Sequence, residues 1–281
     1  MSAVEAITDF IHTMEIEGVK AIEPIAQRLS SGDLIRFRCE GDGKGRLNGW
    51  AILYLDERPA GAFGNYRLGV SRKWKSGDDR QLSPEERRRL QAEWNDAKQK
   101  RLDEKLRCER EAAVEAQEMW RAGHSASVDH PYVAKKGLDT IPLRQIGAKL
   151  LVPMYDGSGA LWNLQRIDGD GSKRFMRGGR VDGLFAIIGS FERRGERACI
   201  GEGYATMAAV HRSTGHPCIV AFSAKNIAAV ARLWADARPD LDFVICADDD
   251  AHLDRNIGIE AAEAAAQAIG ARVATPLRRA S

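Results

Sequence analysis

Three carboxylates near the end of the chain have the types and spacing of a divalent-cation site. They are Glu202, in Gly201-Glu202-Gly203, and Asp248 and Asp250, in Asp248-Asp249-Asp250. Each cluster follows an apolar run that reads as a buried strand, and 46 positions separate Glu202 from Asp248, room for two crossover helices and an intervening strand. Hard oxygen donors gathered at one sheet edge can hold Mg²⁺ or Mn²⁺, and the chemistry of such a site is phosphoryl transfer on nucleic acid. Along an extended Asp248-Asp249-Asp250 the first and third side chains point one way and the second the other, so Asp248 and Asp250 are the expected ligands. The alternative is that these acids cap a helix starting near Asn256, a role that suits Asp254. Three consecutive aspartates repel one another unless a cation or basic groups compensate, which favours the metal.

Positioning those acids falls to alternating strands and helices. Arg197 to Ile200 is a strand whose exit glycines, Gly201 and Gly203, permit a tight turn; an Ala-rich helix follows and is ended by Thr214-Gly215-His216-Pro217. Cys218 to Phe222 is the next strand. Lys225 to Ala237 is a helix with Ile227, Val230, Ala231 and Trp234 on one face, and Phe243 to Ala247 is the third strand. Ile257 to Ile269 is a further helix ending at Gly270, and Arg272 to Thr275 a short last strand. This alternation implies right-handed crossovers and a parallel sheet flanked by helices, with ligands at the carboxyl ends of the strands, where Glu202 and Asp248 fall.

EGYAT, then AFSAKN and ICADDD, with Asn256-Ile257-Gly258 behind, resemble the Toprim domain of phage and plasmid primases, relatives of the bacterial DnaG-type primase. DHPYVAKKGL, AKLLVPMYDGSGALWNLQRIDGDGSKRFMRGG and LFAIIG resemble the small α+β polymerase subdomain that precedes Toprim in those enzymes, and FRCEGDGKGRLNGWAILYLDERPAGAFGNYRLGVSRKWKSG more weakly resembles the amino-terminal region of the plasmid enzymes. The resemblance implies a DNA primase that makes short RNA or DNA primers from nucleoside triphosphates on a single-stranded DNA template. It places the chain in the replication of a phage, plasmid or other mobile element, with a replicative helicase or single-strand-binding protein as partner. It gives Glu202 metal-dependent acid or base chemistry and makes Asp248 and Asp250 the ligands of Mg²⁺ or Mn²⁺. It puts Lys149 on the nucleotide channel, Arg166 at the arginine of a Gly-Gly-Arg element, and Lys173 at a lysine shortly after it, where cations would neutralise the triphosphate.

Two departures stand out. Thr206 occupies a position held by aspartate in the DnaG-type enzymes, although threonine is compatible with the phage and plasmid version. No acid follows Glu263, where those enzymes carry a further acidic cluster, so either a second metal position is poorer here or the sequence stops short of it. The competing functions are a Toprim metal-dependent nuclease and a non-catalytic nucleic-acid-binding replication accessory; the polymerase-like segment opposes the first.

The five cysteines (Cys39, Cys108, Cys199, Cys218, Cys246) show no C-x-x-C spacing, which argues against a disulfide framework and against a zinc ribbon, so no zinc is expected. No apolar run approaches a membrane span, and acids stand where a signal peptide would be basic; a cytoplasmic protein with no membrane partner is expected. Net charge is only +2, so local clusters matter more than the whole-molecule field. Basic residues gather at Arg72, Lys73, Lys75 and Arg80, at Arg87 to Arg89, and at Arg166, Lys173, Arg174, Arg177 and Arg180, the last being the preferred template or nucleotide contact.

Four parts are expected: a small N-terminal α+β module over 1–80, a long charged connecting helix over 81–123, the polymerase-like subdomain over 124–192 and the Toprim domain over 193–281. In the first, Ile7, Phe10, Ile11 and Met14 share a helical face, and residues 33–75 alternate like a small antiparallel sheet with a turn at Arg58-Pro59-Ala60-Gly61. Its aromatics Trp50, Tyr54, Phe63, Tyr66 and Trp74 could stack on bases, but so small a sheet needs large side chains inside, so most are expected in its core. Ser83-Pro84-Glu85-Glu86 opens the long helix with a cap, a proline at its first position and acids in its first turn.

Overall fold

The structure, a computed structural model, describes residues 2–30, 32–56, 58–77, 83–139, 142–248 and 257–275, which fall into two compact units, 1–103 and 104–281. In the first, helix α1 (Ala3–Ile16) opens with a capping box in which Ser2 and Glu5 satisfy each other's backbone N–H. α1 and the short α2 (Ala26–Leu29) cover one face of an antiparallel meander, β1 (Ile35–Phe37), β2 (Gly49–Tyr54), β3 (Ala60–Asn65) and β4 (Val70–Lys75). Strand alternation sends Ile35, Phe37, Ala51, Leu53, Phe63 and Trp74 inward, and the Phe10 ring meets Phe63 and Trp74 edge-on at 5.5 and 5.3 Å.

That alternation corrects the expectation that most of the module's aromatics are core. Only Phe63 and Trp74 are buried; with Ala51 and Leu53 facing in, Trp50 and Tyr54 must face out, and Tyr66 lies just past β3. Helix α3 (Pro84–Ala122) runs 39 residues, about 58 Å at 1.5 Å per residue, as its charge-rich sequence implies. Along it, exposed Lys100–Asp96 and Arg107–Glu111 pairs stand at i,i+4 spacing.

In the second unit an antiparallel sheet runs in chain order through β5 (His124–Ser125), β6 (Arg144–Ile146), β7 (Lys149–Tyr155), β8 (Leu161–Ile167) and β9 (Lys173–Phe175). Its Leu151, Leu164 and Met176 pack on Ala112 and Ala116 of α3, while Leu150, Val152, Met154 and Ile167 face the larger core. Between β5 and β6 lies α4 (Pro131–Lys136), capped by His130, whose Nδ1 accepts from the Tyr132 N–H while Nε2 bonds the Ala148 carbonyl. The His-Pro-Tyr motif therefore holds α4 against the start of β7.

The second sheet has the order β10-β12-β11-β13-β14, from β10 (Ala186–Ile188), β11 (Arg197–Gly201), β12 (Cys218–Val220), β13 (Asp242–Cys246) and β14 (Arg272–Ala274). β11 to β14 are mutually parallel, as the βα alternation requires, and β10 adds an antiparallel edge that makes the sheet mixed. Its helices are α5 (Tyr204–Thr214), α6 (Ala224–Ala237) and α7 (Ile257–Ile269). Cys199, Cys218, Val220 and Cys246 face α5 and the first sheet in one core, whereas Ala198, Ile200, Ile219 and Ile245 face α6 and α7 in another. The antiparallel sheet and the α/β sheet thus share a single apolar core.

Candidate active site

Strand order decides where a ligand can sit. The chain passes from β11 outward to β12, then crosses back over β11 to β13, so the direction of winding reverses between β11 and β13. At such a switch point the loops diverge and leave a crevice beyond the carboxyl ends of the strands. Gly201 at the end of β11 is in register with Cys246 at the end of β13. Glu202 and Asp248, both half-buried, therefore stand on the two sides of that crevice, at the first and second residues past their strands. Asp249 and Asp250 lie outside the described residues, as do the capping candidates Asp254 and Asn256.

The glycines beside Glu202 serve a different purpose from the one their sequence suggests. Gly203, the N-cap of α5, is extended at φ −96°, so no left-handed turn is needed there. At Gly201 a Cβ would come within 2.3 Å of Met207 Sδ, so the first glycine lets α5 pack against the strand end that carries Glu202. Tyr204 is core: burial pushes its phenol well above the ordinary range.

The residue next to the glutamate's carbonyl has a backbone that no sequence signal announces. Phe222, just past β12, is the one described non-glycine residue at positive φ (67°), a left-handed conformation that bulky residues rarely adopt. Its N–H donates to the Glu202 carbonyl at 2.9 Å, and its ring meets Phe175 of β9 edge-on at 6.3 Å. Four residues on, Asn226 is buried and fully engaged: Nδ2 donates to the carbonyls of Val181, Leu184 and Ala221, and Oδ1 accepts from the Gly183 N–H. The AFSAKN motif therefore clamps the end of β12 to the loop that leads into β10. Only Asn226's place in that motif pointed to it; long-range carbonyl partners leave no local pattern.

Two carboxylates flanking a crevice fit Mg²⁺ or Mn²⁺, because Mg²⁺ is commonly held through one or two protein carboxylates and completes its octahedron with water and substrate phosphate oxygens. Among the described residues no group of three His, Cys, Asp or Glu lies close enough to hold an ion. The donor set of Glu202 and Asp248 is all hard oxygen, suited to those ions rather than to zinc.

The basic residues divide by sheet face. Lys173 is in register with Ile167 and Arg174 with Arg166, so Lys173 points to the face shared with the α/β sheet, where its Nζ stands 6.0 Å from the Tyr132 ring centre. Arg166 and Arg174 point to the opposite face, in the row of Leu151. The Arg166 guanidinium donates to the Phe175 carbonyl at 3.1 Å, and its buried Nε has no hydrogen-bond partner among the described residues. Lys149 is exposed at the first position of β7, and Arg177 is exposed in the turn after β9.

Residues 197–278 match the Toprim domain family model. Two DNA primases named TraC from Escherichia coli are 34% identical over 261 residues and 33% identical over 258, each alignment covering 89% of this chain. The chain spans only 24% and 18% of their respective lengths. Among solved structures, the primase fragment of the bacteriophage T7 primase-helicase protein aligns with 56% of this chain and 66% of its own at 15% identity and a TM-score of 0.40. The DnaG catalytic core aligns with 57% and 66% at 13% identity and a TM-score of 0.36. The chain therefore carries a Toprim domain at residues 197–278, within a segment homologous to the TraC DNA primases.

Proposed function

We propose that this chain performs metal-dependent nucleotidyl transfer, joining nucleoside triphosphates into short primers on single-stranded DNA. The observation that carries the proposal is the placement of Glu202 and Asp248 on the two sides of the switch-point crevice. In this reading Asp248 and Asp250 hold Mg²⁺ or Mn²⁺, which when bound neutralises triphosphate charge and acidifies the attacking hydroxyl. Glu202, across the crevice, takes up the proton that the 3′-hydroxyl releases as it attacks the α-phosphorus and pyrophosphate departs. Lys173 holds the triphosphate from the shared face. Lys149 at the start of β7, Arg166 and Arg174 on the opposite face of that sheet, and Arg177 in the turn after β9 contact the template or nucleotide phosphates. A replicative helicase or single-strand-binding protein would be the working partner.

Incubating the protein with labelled nucleotides, unprimed single-stranded DNA and Mg²⁺ or Mn²⁺ tests this by product. New short oligomers support primer synthesis. Shortened template would assign a nuclease instead, and DNA binding without either product a non-catalytic accessory.

A further inference from the structure

We propose that the outer face of the N-terminal sheet is a docking platform for single-stranded nucleic acid, distinct from the acidic crevice. The face is defined by register. One row across it runs Arg36, Trp50, Gly64, Ser71; the next runs Ile52, Ala62, Lys73; the third runs Tyr54, Ala60, Lys75. α1 and α2 cover the other side of the sheet, and these rows contain no acid. β3 contributes only Gly64, Ala62 and Ala60, so it forms the floor of a trough between aromatics on β2 and lysines on β4, strands roughly 10 Å apart.

The aromatic wall is set in place from beneath. The indole of Trp50 lies against Gly64, where a Cβ would come within 2.7 Å of its Nε1 and 2.2 Å of the Val70 carbonyl, so only glycine lets the ring approach β3 this closely. Tyr66 sits 6.3 Å from Trp50 at 41°, and the Arg36 guanidinium is held 4.6 Å over the Tyr66 ring while its Nε donates to the Leu47 carbonyl. Arg101 stands over the Tyr54 ring at 4.2 Å and pairs with Asp56, whereas Arg36 brings its cation into the aromatic group of Trp50 and Tyr66. Tyr66 is 48% exposed. Flat π surfaces beside a line of cations match a polymer of stackable bases on an anionic backbone; a protein partner would gain little from Lys73 and Lys75, and a duplex hides its base faces.

Only the choice of single-stranded DNA as probe rests on the proposed function, and the test is independent of catalysis. Binding of a fluorescent oligodeoxythymidylate to the full chain is measured by anisotropy in EDTA without nucleotides, against salt. Tyr66→Ala and Trp50→Ala should each weaken binding about fivefold or more, with Trp50→Phe keeping most of the affinity. Lys73→Ala with Lys75→Ala should flatten the salt slope by about 0.7 for each phosphate that the two lysines neutralise. Wild-type affinity and slope in all four variants would overturn the platform, as would duplex DNA competing as well as single strands. Primer synthesis by Asp248→Asn, assayed in parallel, reports on the crevice alone, so the two readings fail separately.

Discussion

The carboxylates at the crevice do work that no other side chain can take over, because an amide neither carries the charge a divalent cation needs nor accepts a proton from a hydroxyl. Glu202→Gln and Asp248→Asn should each reduce nucleotidyl transfer by about two orders of magnitude or more while leaving circular dichroism and thermal unfolding largely unchanged, since each substitution keeps the shape of the side chain. Near-normal activity from either variant would remove that residue from the site. Asp250→Asn is expected to match Asp248→Asn, with Asp249→Asn milder.

A different carboxylate holds the N-terminal module together. Asp42, its side chain buried, accepts from the Cys39 N–H and Asn48 Nδ2, each at 2.8 Å, and from Arg67 Nε at 3.2 Å. Burial alone would raise its pKa, but the hydrogen bonds from Asn48, Cys39 and Arg67 outweigh it and hold the carboxyl below the ordinary range. Its folded pKa is therefore depressed, so its stabilisation is present above the unfolded value of about 3.9 and is lost as pH falls through the folded value. Asp42→Asn should cost about 1.5–3 kcal/mol at pH 7, a gap to wild type that closes in acid. Thermal unfolding of both proteins between pH 2 and 7 would show it; a gap independent of pH would mean the loss is steric.

At the scale of elements, the register of β8 with β9 separates side chains that adjoin in sequence. Lys173 points to the face shared with the α/β sheet, Arg166 and Arg174 to the side of α3. Lys173→Ala should raise the nucleotide KM or lower kcat several-fold with little change in DNA affinity, whereas Arg166→Ala and Arg174→Ala should chiefly weaken DNA binding and reduce its salt slope by about 0.7 for each phosphate contact on a single strand. Exposed Arg88 and Arg89 on α3 serve as controls and should show neither effect. Equal kinetic and binding effects at all three positions would mean that the faces do not divide the roles.

Across the whole molecule, four of five cysteines are buried, and three of them, Cys199, Cys218 and Cys246, lie side by side on adjacent strands beneath α5. All three are enclosed in the core, where a reagent cannot reach them and burial disfavours the thiolate. A thiol reagent should therefore react quickly only with Cys108 in the native protein and with all five after denaturation, with less than stoichiometric zinc by elemental analysis. Rapid native labelling of more than one thiol, or one zinc per chain, would contradict this packing.

The sequence by itself determined the strands and helices of residues 197–275 and the strand ends that carry Glu202 and Asp248, because period, breakers and helix caps are local and the βα alternation admits one handedness. It determined α1 and the long α3 in the same way. The rest depended on contacts between distant residues. The sequence offered the aromatics of residues 33–75 as a set, but register in the folded meander put Phe63 and Trp74 in the core and Trp50 on the outer face. It offered Arg166 and Lys173 as one cluster, and pairing to β9 turned them apart. The left-handed Phe222, the Asn226 clamp and the close approach at Gly201 belong to the tertiary structure alone: each is set by a partner far along the chain, and such partners leave no periodicity to read.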